Sequence, residues 1–121
     1  MRAAALAALP LLMAACAETP APRFRTHAPE LPPGGLIGLT GPELPLFLGT
    51  PALRRSEPPA EIWQYAARDC LLYVFLYLDD ELLSVRHADA RNRRGQPVDV
   101  AACAGRVGAE AAARATARGG A

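Results

Sequence analysis

His87 and Asp89 stand two residues apart in "SVRHADA". On a strand that spacing points both side chains to one face, where an imidazole and a carboxylate form a base and the group that orients it. Such a pair does work only with a nucleophile in reach. Ser84 has the opposite parity to His87, so no catalytic residue is assigned and the chain does not read as an enzyme. His27 lies alone among prolines and reads as a solvated side chain. A metal centre would want closely spaced ligands such as Cys-x-x-Cys, and none is present. The glycines of "GGLIG" follow prolines, not a strand, and do not form a phosphate loop, so no cofactor is expected.

The remaining chemistry is that of contact. Trp63, Tyr65, Tyr73, Phe75 and Tyr77 are the candidate partner-binding residues, because tyrosine and tryptophan are favoured where proteins dock. Their positions follow from the elements around them. "EIWQYA" reads as a first strand, Glu61 to Ala66; the apolar run that opens "CLLYVFLYLDDE" as a second, Cys70 to Leu78; and "LLSVRHA" as a third, Leu82 to Ala88. Tight links at "AARD" and "DDE" predict an antiparallel meander. "LRRS", Leu53 to Ser56, is read as an extension of the first strand across a bend at Pro58 and Pro59, which interrupt any ladder.

Two helices flank this sheet. Thr40 and Glu43 have capping-box spacing and Gly49 suits the residue after a helix, which predicts a short helix over 41–48. Pro45 reduces it to a single turn as the fallback. Pro97 and Asp99 open a second helix that runs to Arg118, with Val100, Cys103, Val107 and Ala111 as its apolar stripe and Glu110 paired to Arg114. The fold class expected is α+β: a three-stranded antiparallel meander, with a short helix before it and a C-terminal helix on one sheet face.

The chain has 121 residues, enough for one domain, and a formal net charge of +1. Its basic residues are all arginines in scattered singles and pairs, so nucleic acid is not an expected partner. "MRAAALAALPLLMAAC" has the order of an export signal: a positive charge, an apolar stretch too short to span a bilayer, then small residues. "Met13-Ala14-Ala15-Cys16" resembles the lipobox of bacterial lipoproteins, with Met13 where that motif usually has Leu. The resemblance implies that residues 1–15 are a signal peptide and that Cys16 is acylated. It also implies attachment to the outer membrane, facing the periplasm, since Ala17 is not the Asp linked to inner-membrane retention. Two or more acyl chains anchor stably. Residues 16–35 then form the lipidated cysteine and a Pro-rich tether, and 36–118 the folded domain.

With Cys16 acylated, the odd cysteine of an exported chain is removed, and Cys70 and Cys103 can pair. That pairing puts Cys70, Leu72, Val74, Leu76 and Leu78 beneath the C-terminal helix. Leu71, Tyr73, Phe75 and Tyr77 face the other way, and Trp63 and Tyr65 join them if the register allows. Either the short helix and "LPPGGLIG" cover this aromatic face, or part of it stays exposed for a partner.

"GLTGPELPLFLGTP", "IWQY" and "CLLYVFLYLDDELLSV" are similar to small envelope lipoproteins of the SmpA/OmlA type, the BamE family. Gly38, Thr40, Leu48, Gly49, Pro51, Trp63 and Tyr65 carry the likeness. The C-terminal helix, the cysteine pair and Pro45 depart from it. The resemblance implies a non-catalytic binding or scaffold domain that serves outer-membrane maintenance or protein assembly. It names an envelope protein as a possible partner and the membrane as the site of anchorage. The alternative is a small-ligand or inhibitor module that uses the aromatic face.

Overall fold

The computed structural model describes residues 29–119. The expected signal segment, Cys16, His27 and most of the tether lie outside the described residues. The elements are α1 (Leu44–Leu48), β1 (Leu53–Glu57), β2 (Ala60–Ala66), β3 (Cys70–Asp79), β4 (Leu82–Asn92) and α2 (Val100–Gly119). The class is α+β, as expected, but the open antiparallel sheet has four strands in the order β1-β2-β3-β4 instead of three.

The extra strand is the "LRRSE" segment. It does not extend β2 but folds back on it as a hairpin, with Leu53 opposite Gln64 and Glu57 opposite Ala60. Pro58 and Pro59 occupy the two loop positions, where no ladder donor is needed, so they interrupt nothing. All five residues of β1 are exposed, and β1 forms one edge of the sheet.

Strand β4 also runs further than expected, to Asn92, through a bulge between Phe75/Leu76 of β3 and the residues facing them. Leu76 faces Val85 and Phe75 faces His87, so Arg86 is the extra residue. The outer edge of β4 is tied to the chain at both ends. Gly38 and Gly41 donate backbone bonds to Val85 and Leu83, and Val98 donates to Ala90.

Helix α1 is the single turn left when Pro45 sits in its first turn, where the missing donor costs nothing. The Glu43 carboxylate accepts from the backbone N–H and the hydroxyl of Thr40, at 2.7 and 2.9 Å. These contacts hold the Glu43 pKa below its ordinary value, chiefly through the backbone bond. Gly49 closes the helix with φ 72° and ψ −155°, a region open to glycine alone, and its N–H returns to Pro45. Helix α2 starts at Val100, later than Pro97 suggested. Pro97 bridges to Arg91 instead. Asp99 caps the helix, accepting from the Ala102 N–H at 2.8 Å.

Both helices and the segment around Leu36 and Leu39 pack on one side of the sheet. The core there joins Leu36, Leu39, Leu44 and Leu48 to Trp63, Tyr65, Leu72, Val74, Leu76 and Val85, with Cys103, Ala104 and Val107 from α2. The Cys70–Cys103 disulfide ties the start of β3 to α2. Packing already includes Leu31, ahead of the expected domain start at residue 36. Among the described residues no helix is long and apolar enough to cross a membrane.

Candidate functional site

The other side of the sheet is the candidate site. Antiparallel partners share a face, so the registers of the three ladders set out this side row by row. One row runs Arg55, Ile62, Phe75, His87 across the four strands. A second runs Leu53, Gln64, Tyr73, Asp89, and a third Glu57, Ala60, Tyr77, Ser84. At a strand spacing of about 4.8 Å, each row is roughly 14 Å long.

The centre is apolar and the rim charged. Ile62 is buried, with 7% exposure, yet stands apart from the core under the helices. Tyr73, Phe75 and Tyr77 are half-buried along β3, and the Phe75 ring lies against the His87 imidazole at 5.2 Å. Around this column the charges pair. Arg55 meets Glu57 at 2.6 Å, Arg86 meets Asp79 at 2.8 Å, and Arg91 meets Asp89 at 3.0 Å. These half-exposed pairs contribute little to stability, about 0–1 kcal/mol each. Their effect is to leave the face nearly neutral.

Two sequence expectations about this site are corrected. Trp63 faces Val74 and Tyr65 faces Leu72, so both belong to the helix-covered side and are buried, at 3% and 1% exposure. They do not join Tyr73, Phe75 and Tyr77. The Arg54 guanidinium lies 3.8 Å from the Trp63 ring centroid, and the indole N–H donates to Glu61 at 2.7 Å. Leu36, Leu39, Leu44 and Leu48 join the core on the Trp63 side, while Gly34, Gly35 and Ile37 line a cavity with His87 at the β4 end of the open face. No helix among the described residues packs on it.

The second correction concerns Ser84. The Arg86 bulge reverses the parity of everything after it, so Ser84 and His87 share the aromatic face after all. Even so, the three polar residues do not form a catalytic relay. The Asp89 carboxylate accepts from Arg91, the imidazole packs on Phe75, and no hydrogen bond joins Ser84 to His87. Among the described residues no group of His, Cys, Asp or Glu could hold a metal ion.

The sequence also missed Ile62, Arg55 and Arg86 as parts of this face. The signal for the first two was present in the two-residue gap between Glu57 and Ala60, which is a hairpin spacing. No family model, curated protein or solved structure matches the chain.

Proposed function

We propose that this protein is a lipid-anchored binding or scaffold domain of the bacterial envelope, held at the periplasmic face of the outer membrane through Cys16. Its aromatic sheet face receives a protein partner in the service of outer-membrane maintenance or assembly. The observation that carries this reading is the one-sided packing: both helices lie on the Trp63 side, and the Tyr73 side keeps an apolar centre with no described helix over it.

The chemistry of the face selects the kind of partner. Aromatic side chains ringed by groups that shield them from water resemble the centre of a protein interface. The rim arginines Arg55, Arg86 and Arg91 are already neutralised by Glu57, Asp79 and Asp89. A polyanion such as nucleic acid finds no free cations there. The fitting occupant is a folded protein with a neutral, apolar-centred surface. A role without catalysis fits the separation of Ser84, His87 and Asp89 into unrelated contacts, and the likeness to SmpA/OmlA lipoproteins agrees with such a role.

The test is Tyr73→Asp in the full-length protein. The side chain is half-buried and Asp89 stands opposite it, so the variant melts somewhat lower; at a temperature where circular dichroism shows it still folded, the complex captured by crosslinking in intact cells is lost. Retention of the same complex by the variant would overturn the assignment of this face.

A further inference from the structure

Strands β3 and β4 are paired to their ends, with Cys70 opposite Asn92. That pairing sets the β2–β3 turn, which holds Arg68 and Asp69, beside the link that leads from β4 to α2. Arg68, Asp69, Asn92, Arg93, Arg94 and Gln96 line a cavity of about 330 Å³ between the two.

The link is held in shape by its own polar groups. Asn92 Oδ1 accepts the backbone N–H groups of Arg94 and Gln96 at 2.9 and 3.0 Å, its amide donates to Gln96 at 2.8 Å, and Gly95 turns the chain at φ 81°. From this loop the Arg93 guanidinium crosses to the turn, donating to the carbonyls of Ala67 at 2.6 Å and Arg68 at 3.3 Å. Carbonyls fix its position without cancelling its charge, and these two bonds leave part of its five-donor fork open.

Charge around the cavity is one-sided. Asp69 is occupied by Arg106 at 3.0 Å, and Glu110 accepts the backbone N–H of Arg68 at 3.1 and 3.2 Å. Among the described residues no carboxylate pairs with the guanidinium of Arg68, Arg93 or Arg94, whereas the rim arginines of the sheet face each have an acid. Three cations that cannot lose their protons border one opening, and one of them is held in place. They match an oxyanion of more than one charge.

We infer that this cavity binds the terminal phosphate of a phosphate monoester, with Arg93 as the fixed donor and Arg68 and Arg94 supplying further donors from the turn and the loop. A soluble ester and a lipid headgroup can both present that group.

The probe is glycerol 3-phosphate, titrated into ¹⁵N-labelled full-length protein in dodecyl maltoside at constant ionic strength and about pH 7, above the second phosphate pKa of about 6. Saturable shifts of the Arg93 Nε–H and Arg94 backbone N–H signals are expected, with none at Arg118. Arg68→Gln and Arg94→Gln each weaken binding by about tenfold, as does replacing the probe with dimethyl phosphate, a diester of single charge. Neither arginine side chain has a described partner to lose, so both variants stay folded. Short-chain phosphatidic acid separates the two sources: tighter binding than glycerol 3-phosphate assigns a lipid headgroup, and equal or weaker binding assigns a soluble ester. Three results would overturn the inference: no saturable shift with either compound at millimolar concentration, undiminished binding by both glutamine variants, or equal binding of dimethyl phosphate.

Discussion

Trp63 stands opposite Val74 on the neighbouring strand, on the side of the sheet that both helices cover. That one pairing divides the aromatic residues into two groups with different roles. Trp63 and Tyr65 fill the core, while Tyr73, Phe75 and Tyr77 form a column on the open side.

The proposed anchor rests on Cys16. Cys16→Ser releases the protein from membranes into the soluble periplasmic fraction. A variant that stays membrane-bound after washing in high salt would contradict the anchor.

The disulfide between Cys70 and Cys103 spans 33 positions of chain. In the chain-entropy description a loop of that size contributes about 3–4 kcal/mol. Reduction, or Cys70→Ala with Cys103→Ala, lowers the unfolding free energy in urea by about that amount. Thiol-specific mass labelling of the protein isolated without reductant finds both cysteines blocked until a reductant is added.

Helices α1 and α2 meet at a glycine. A Cβ placed on Gly49 would fall 2.7 Å from the Ala111 Cβ, and the backbone there has φ 72°. Gly49→Ala combines overpacking with a strained backbone, each a cost of about 1–3 kcal/mol, and so destabilises the domain by about 3 kcal/mol in urea unfolding. Ala111→Gly in the same chain relieves the contact and recovers part of the loss.

The Glu43 carboxylate is stabilised in its charged form by Thr40. Its folded pKa lies below the unfolded one, so the stabilisation is fully present above the ordinary glutamate value of 4.5 and is lost as pH falls through the folded midpoint. An NMR titration of the side chain gives a midpoint below 4.5. Thr40→Val removes the hydroxyl bond but keeps the backbone one, and moves the midpoint part of the way back.

Much of this fold could be read from residue order, and the misreadings have physical causes. The alternation of Cys70 to Leu78 identified β3 and its two faces, and the pairing of Cys70 with Cys103 placed α2 over the correct one. Strand β1 was obscured because its residues are all exposed, which leaves no alternation to detect. The faces of Trp63 and Tyr65 were beyond reach for another reason. Their spacing shows that they share a face, but only the pairing of Trp63 with Val74 says which one. Arg86 hid the third feature, since a bulge adds one residue without any composition of its own and reverses the parity of His87 and Asp89.

The central claim, that the Tyr73 side of the sheet is a docking surface, is tested most directly by a photo-crosslinking amino acid placed singly at Tyr73 or at Arg118 in full-length protein in intact cells. Tyr73 lies on the open face, and Arg118 is exposed in the last turn of α2. The account predicts a discrete protein adduct from Tyr73, abolished by Tyr77→Asp in the same chain, and no such adduct from Arg118. Equal adducts from both positions, or an adduct from Tyr73 that survives Tyr77→Asp, would contradict it.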